Sequence, residues 1–247
     1  MTIASTNLQK EKIALAWSGG KDSSYALYQL QQSEQYEVAY LLSTINGNFK
    51  RLSMHGVKEE LIEAQAAAIG LPLIKVYVYE ADNQSYEKAM NEALLLLKAR
   101  GINTIAFGDI FLEDLRSYRE EKMASIGMSC LFPLWKKDTH QLVQDFLSSG
   151  FETMICCIND GYLNESWVGR TIDHQFIEDL PENVDPCGEN GEFHSFCFKG
   201  PIFSQLIPIE SKEKTYKALE LRANDHPTPI PDIGTKGFWF IEIEKKK

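Results

Sequence analysis

The sequence predicts an α/β protein, with a doubly wound, mainly parallel sheet in its first half and a smaller α+β unit in its second. Three observations carry this prediction. Short apolar runs alternate with stretches of helical period from Lys12 to about Met128; two adjacent glycines sit where the first apolar run meets the first helical stretch; and beyond residues 128–135 the alternation gives way to shorter elements punctuated by Pro133, Pro181, Pro186, Pro201 and Pro208. Right-handed crossovers place the helices of such a sheet on both of its faces, and ligands gather at the carboxyl ends of its strands.

Taken in order, the apolar run Lys12–Trp17 reads as a strand, Ser23–Gln32 as a helix and Val38–Ile45 as a second strand. The Ala-rich stretch Val57–Ile69 is the next helix, followed by a strand over Leu73–Tyr79, a helix over Tyr86–Ala99 and a short buried strand over Thr104–Phe107. Gly70, Pro72 and Gly101 fall where helices stop. A highly charged helix runs over Glu113–Met128. Later strands are expected over Thr153–Ile158, Ser195–Phe198 and Phe238–Ile243, and the Lys245–Lys247 run reads as a solvated end. The change of texture places a domain boundary near residues 128–135, dividing the chain into 1–128 and 129–247.

Composition narrows the class. The chain has 247 residues, 44% hydrophobic and 24% charged, with 16 Gly and 9 Pro, which excludes collagen-like and disordered classes. Its longest aliphatic run, Ala93–Leu97, is far short of the roughly 20 residues that cross a bilayer, and the first ten residues carry no secretory pattern. Five cysteines, with no Cys-x-x-Cys pair, suit reduced thiols in a cytoplasmic protein better than a disulfide framework or a structural zinc site. With Lys+Arg at 25 against Asp+Glu at 35, the formal charge of -10 opposes approach to DNA, RNA or an anionic membrane. The oligomeric state is left open, a homo-oligomer included.

The strongest signal is Ser18-Gly19-Gly20-Lys21-Asp22-Ser23, between the first strand and the first helix. Two glycines let the backbone turn tightly against an anion, the N–H groups of a helix start point at it, and Lys21 brings positive charge. A chance turn before a helix would explain the glycines alone, but not the whole hexapeptide in this context. The spacing differs both from the Gly-x-x-x-x-Gly-Lys-Ser/Thr loop and from Gly-x-Gly-x-x-Gly.

The hexapeptide resembles the PP-loop of the ATP pyrophosphatases, which implies a Rossmann-type nucleotide-binding domain that cleaves ATP between its α and β phosphates. Further stretches narrow the likeness. Ser53-Met54-His55-Gly56-Val57, Phe107-Gly108-Asp109-Ile110, the Arg116–Glu121 segment, Phe132-Pro133-Leu134-Trp135 and Asp185–His194 together resemble the diphthine-ammonia ligase family and its shorter relatives, over most of residues 12–203. In those ligases the last stretch usually reads Gly-Glu-Gly-Gly-Glu-Tyr-Glu-Thr; here Asn190 replaces the middle glycine and Phe193-His194-Ser195 the final three residues. The chain also lacks the extra C-terminal domains expected of the eukaryotic ligases. The resemblance implies ATP with Mg2+, a small-molecule or protein-borne carboxylate substrate, and ammonia.

On that reading Ser18, Gly19, Gly20, Lys21, Asp22 and Ser23 line the phosphates, with Lys21 expected exposed on its loop and Asp22 as either a helix cap or a magnesium ligand. His55 contacts adenosine or merely holds its loop. Gly108 and Asp109 stand at the same strand edge, where a glycine serves either a nucleotide or a tight turn. Arg119 is a candidate only through the family pattern, since most charges on such a helix pair at i, i+4. Glu189 and Glu192 bracket a Gly-rich turn and would bind an amine, hold magnesium or act as general base, folding back near Gly108 and Asp109, unless the loop is simply a solvated acidic one. Cys187 reads as a structural thiol, and Cys156 and Cys157 as packing residues. Two other readings compete: a tRNA-modifying enzyme, which the charge and the missing sulfur-transfer cysteine pair disfavour, and a nucleotide sensor without turnover, which the intact Lys21-Asp22-Ser23 disfavours.

Overall fold

The structure is a computed structural model that describes residues 9–80, 82–219 and 234–246. The leader-less reading of residues 1–8 and the role of Lys247 lie outside the described residues. In chain order the first half comprises β1 (Glu11–Ala16), α1 (Lys21–Gln31), β2 (Tyr36–Asn46), β3 (Arg51–Leu52), α2 (Glu59–Ile69), β4 (Leu73–Val78), α3 (Asn83–Ala99), β5 (Thr104–Ala106), α4 (Glu113–Ser125) and β6 (Ser129–Leu131). Five of these strands lie parallel in the order β4-β2-β1-β5-β6. Because the chain grows outward from β1 in both directions, the strand order reverses between β1 and β5, and the crevice at their carboxyl ends is the switch point where such sheets take ligands.

The period-2 pattern of the strands sorts side chains to two faces. Ile13, Leu15, Leu41 and Ile45 pack with α1 and α2, whereas Ala14, Leu42, Val76 and Ile105 pack with Leu94 and Leu97 of α3 and Met123 of α4. Helix boundaries follow local chemistry. Residues 57 and 58 are drawn into backbone pairing with β3, so α2 starts at Glu59 rather than Val57. The Asp82 carboxylate accepts from Ser85 N–H at 2.8 Å, which starts α3 three residues before Tyr86. Gly127, with φ of 67°, stops α4 before Met128.

The second half contains α5 (Thr139–Ser148), β7 (Glu152–Asn159), a 3-10 turn over Glu165–Trp167, α6 (His174–Asp179), β8 (Phe193–Lys199), β9 (Ile209–Ala218) and β10 (Gly237–Lys245). Its strands form an antiparallel sheet in the order β8-β7-β10-β9. The sequence expectation missed β3, β6, α5, α6 and β9. Most of β9 is exposed and Lys/Glu-rich, as suits an edge strand, and this removes the alternation by which a strand is read. Lys245 closes β10 opposite Ile209, so it belongs to a strand rather than a free end.

One buried cluster joins the two halves. Tyr25 and Tyr28 of α1 pack edge-on to Phe151, and Phe151 stacks on Phe146 of α5 with centroids 4.6 Å apart. Phe146 is fully buried, so its truncation to alanine is expected to cost about 3–5 kcal/mol. The second half is therefore part of what holds α1 in place. Among the described residues no helix is long and apolar enough to cross a membrane.

Candidate functional site

A cavity of about 830 Å³ opens at the carboxyl ends of β1, β2 and β5. It brings together Ser18, Gly20, Lys21, Asp22, Ser23, His55, Gly108, Asp109 and Glu189 from four separate stretches of sequence. Gly19 and Glu192 are not on its wall.

Gly20 caps α1 in an extended conformation with no side-chain bond, so Asp22, one of the two roles considered for it, is not the cap but a first-turn residue. Helix starts leave such first-turn N–H groups without intrahelical partners. The Lys21 N–H is taken by Ser195 Oγ of β8 at 3.1 Å, and the Ser18 and Ser23 hydroxyls bond each other at 3.1 Å. Gly19 faces away from the cavity with φ of 70°, and its carbonyl accepts from Cys197 N–H at 2.8 Å and from Gln65 Nε2 at 2.8 Å. A Cβ there would come within 2.3 Å of Gln65 Oε1, so only glycine fits. Gln65, fully buried, also donates to the Cys197 carbonyl at 2.6 Å and accepts from the Trp17 indole at 3.0 Å. One amide thus ties the end of β1, the loop and β8 together.

Lys21 is not exposed: it is 1% accessible, covered by the segment that carries Cys187 and Glu189, and its ammonium bonds the Asp22 carboxylate. Burial would lower its pKa, but the charge and hydrogen bond of Asp22 together with the Cys187 and Glu189 groups outweigh that and leave it raised, so Lys21 is a fixed cation. Burial pushes the Asp22 carboxyl up, and the Lys21 ammonium partly offsets this. Its side chain stays 31% exposed.

Gly108 lies against the first turn of α1: a Cβ would meet the Asp22 carbonyl carbon at 3.1 Å and Ser23 N at 3.2 Å. Asp109 is held by Arg119 through two bonds, from Nε at 2.7 Å and Nη2 at 3.2 Å, and the guanidinium stacks 4.3 Å over Phe107. Arg119 thereby leaves the class of solvated helix charges, whereas Arg116 does pair with Glu120 at i, i+4.

The acidic loop folds back over this edge. Glu189 Oε1 accepts from Ile110 N–H at 2.7 Å and more weakly from Phe111 N–H. Burial and then the neighbouring Asp22 push its carboxyl up to about 7. Glu192 instead is fully buried and turned into its own loop, with Oε1 accepting from Asp185 N–H at 2.9 Å and Asn190 Nδ2 at 3.0 Å. Its Oε2 has no partner among the described residues. The Asp185 carboxylate accepts from the N–H groups of Cys187 and Glu189 and shapes the turn. Burial pushes the Cys187 thiol up to about 12, as befits a structural thiol.

His55 and His194 meet face to face, with ring centroids 4.4 Å apart and planes tilted by 31°. Being enclosed by protein lowers His55 to about 4; His194 lies well below the usual range, through enclosure and then the nearby His55 and Lys21. Both rings are therefore neutral. Sequence reasoning missed Gln65, Ser195 and His194. Gln65 had a faint signal as a polar residue in the Ala-rich helix Glu59–Ile69; the other two are separated from the loop by more than 170 residues.

Among the described residues no cluster of three His, Cys, Asp or Glu side chains is arranged to hold a metal ion. The donors present, one accessible carboxylate on Asp22 beside a helix start, suit a magnesium ion that arrives on phosphate oxygens and keeps several waters.

Fold and cavity together define a doubly wound α/β protein with a glycine-rich strand-to-helix loop at its switch point, packed against a second, antiparallel unit. Family models describe the same two parts: the diphthamide synthase N-terminal domain matches residues 11–130 and the diphthamide synthase C-terminal domain residues 138–222. The chain belongs to the diphthamide synthase family. It is 25% identical to the diphthine–ammonia ligases of Bos taurus and of Homo sapiens over 258 residues, covering 90% of this chain and 96% of each relative. It is 26% identical to that of Schizosaccharomyces pombe over 216 residues, covering 79% of this chain and 36% of that protein. The expectation that eukaryotic ligases carry extra C-terminal length thus fails for the bovine and human proteins.

Proposed function

We propose that this protein is an ATP-dependent ligase that adenylates a substrate carboxylate, releases pyrophosphate, and passes the acyl group to ammonia or another amine. The observation that carries this reading is the first turn of α1, where the fixed Lys21 cation, Asp22 and Ser23 line a cavity at the β1/β5 switch point. A preformed cation at a helix start stabilises negative charge that grows as the phosphates separate, without reorganising when it does. Asp22 would hold magnesium, which supplies further charge neutralisation on the phosphates. Gly108 gives the first turn its room, and the Arg119–Asp109 pair keeps the opposite wall in place.

Glu189 is the residue we assign to the acceptor side. It reaches across from the second unit to Ile110, and a carboxyl near neutrality suits taking a proton from bound ammonium, which leaves neutral ammonia as the attacking nucleophile. Glu192 shapes the loop that presents it. The names of the relatives make a diphthine-bearing protein the acceptor to test first, with a small carboxylate metabolite second; a cytoplasmic setting fits the free thiols.

The test is product analysis by chromatography after incubation with ATP, magnesium, ammonium and acceptor. AMP and pyrophosphate are expected. ADP and orthophosphate as the only products would reject adenylation, and nucleotide binding without turnover on any acceptor would favour a sensor.

A further inference from the structure

The stacked histidines are left over by this reading. They come from opposite halves of the chain, His55 from the turn after β3 and His194 from β8, and both line the cavity. The turn that delivers His55 is strained: Met54 has φ of 65°, a region that non-glycine residues rarely occupy. Strain of this kind persists where the surroundings enforce it, as they do at ligand sites. His55 Nδ1 lies a long 3.4 Å from the Ser53 carbonyl, while its Nε2 is turned toward Gly20 at the start of α1. Among the described residues no protein group hydrogen-bonds either ring nitrogen of His194, and its neighbour Ser195 already grips the loop at Lys21. A neutral imidazole always carries one N–H donor. Two such donors therefore lie at the cavity wall beside the glycine-rich loop, with the Lys21 cation near His194, and among the described residues the long Ser53 contact is the only protein acceptor offered to either of them.

We infer that the His55–His194 pair is a second anion-binding element of this site, one that grips the pyrophosphate end of the nucleotide from beside the loop. This rests on the nucleotide reading above and extends it. The loop belongs to the first half of the chain, whereas the pair spans both. Holding pyrophosphate would therefore also hold the second unit against the first. The pair acts on the leaving diphosphate and has no part in recognising adenosine.

Two probes separate these roles: inorganic pyrophosphate and AMP, each titrated by calorimetry in the presence of magnesium into the full chain and into His55→Leu, His194→Leu and Lys21→Met. Losing one hydrogen bond to a charged group is expected to weaken pyrophosphate about tenfold or more in either histidine variant, with AMP affinity unchanged within about twofold. Thermal melts of each variant check folding. A second readout does not depend on the variants. In protein labelled with 15N-histidine, pyrophosphate should shift two of the five imidazole signals, the two that vanish in the variants. Pyrophosphate affinity unchanged in both histidine variants but lost in Lys21→Met would overturn the inference and leave the nucleotide reading standing. Weakened AMP with unchanged pyrophosphate would place the pair on the adenosine side and also overturn it. Failure of either probe to bind the wild-type protein would remove the nucleotide reading itself.

Discussion

Gly108→Ala is the sharpest perturbation of the site, because it adds one methyl group to a backbone that has nowhere to go. The new Cβ would sit 3.1 Å from the Asp22 carbonyl carbon, 3.2 Å from Ser23 N and 3.3 Å from the Asp22 carbonyl oxygen. These are main-chain atoms of the first turn of α1, so no flexible side chain can yield. Either β5 or the helix start must shift by a few tenths of an ångström. Overpacking of this kind costs about 1–3 kcal/mol, which for a chain of this size lowers the melting temperature by roughly 2–12 °C. The shift falls on the N–H groups assigned to the phosphates, each bond to a charged group being worth about 1.5–3 kcal/mol, so nucleotide affinity should fall at least about tenfold. Gly101→Ala is the control. It has open space around it but a φ of 81°, so alanine there costs a similar ~1–2 kcal/mol through backbone strain alone, away from the cavity. Urea unfolding and calorimetric titration with ATP measure both quantities for both variants. Wild-type affinity in Gly108→Ala, or an equal loss in Gly101→Ala, would refute the claim that this contact sets the loop geometry.

Lys21→Met should lower pyrophosphate release about 10²–10³-fold, the scale for removing a preorganised charge-stabilising donor, and should also destabilise the fold by less than the ~3–5 kcal/mol of a fully buried broken pair, since Asp22 keeps access to solvent; a differential melt and a product assay read the two separately. Glu189→Gln makes a signed pH prediction. A carboxyl raised from 4.5 to about 7 in the folded protein favours folding while protonated, so this contribution is full below about 4.5 and is lost as pH rises through 7. The glutamine variant keeps an acceptor for Ile110 N–H and should gain stability over wild type at pH 8, by up to about 3 kcal/mol, with no such gain at pH 4; urea unfolding at the two pH values checks it, and a gain that did not change with pH would exclude it. Glu192→Ala strips the Asp185 N–H of its buried partner and should cost at least about 1–3 kcal/mol, with proteolytic nicking of the 185–192 loop as the structural readout.

Most of the first half of the fold was legible because β1, β2, β4 and β5 are apolar runs and α2 and α3 are helical-period stretches closed by Gly70 and Gly101, so local chemistry and tertiary packing agree there, whereas the short β3 and β6 carry no such run. The loop was legible for the same reason: its glycines, lysine and acid are contiguous. Two further kinds of information were not local. Edge and surface elements such as β9 carry no alternation, because neither of their faces is fully buried. Lys21 looked exposed because a lysine on a Gly-rich turn has no sequence mark of what covers it; the cover is supplied by Ser195, Cys187 and Glu189, more than 160 residues away. Glu189 and Glu192 are three residues apart and alike in sequence. The turn set by Asp185 points one at Ile110 and the other into the loop, and only the folded chain separates their roles.

That the second unit builds part of the loop has a consequence for how the site is assembled. Gly19 must adopt a left-handed conformation, and what holds it there is a pair of bonds to its carbonyl, one from Gln65 and one from Cys197 N–H of β8. Lys21 N–H, the next polar group along, is likewise fixed by Ser195 of the same strand. Salt bridges from Arg51 and Lys58 to Glu242, and from Lys58 to Glu244, join the β3–α2 region to β10, but such partly exposed pairs contribute little. More of the cohesion between the halves comes from the shared aromatic core around Phe146 and Phe151 and from the buried Gln65 amide, whose loss would leave the Gly19 and Cys197 carbonyls short of a donor. The glycine-rich loop is therefore preorganised by the contact between the two halves, and Gln65, Ser195 and Cys197 are the residues that align it.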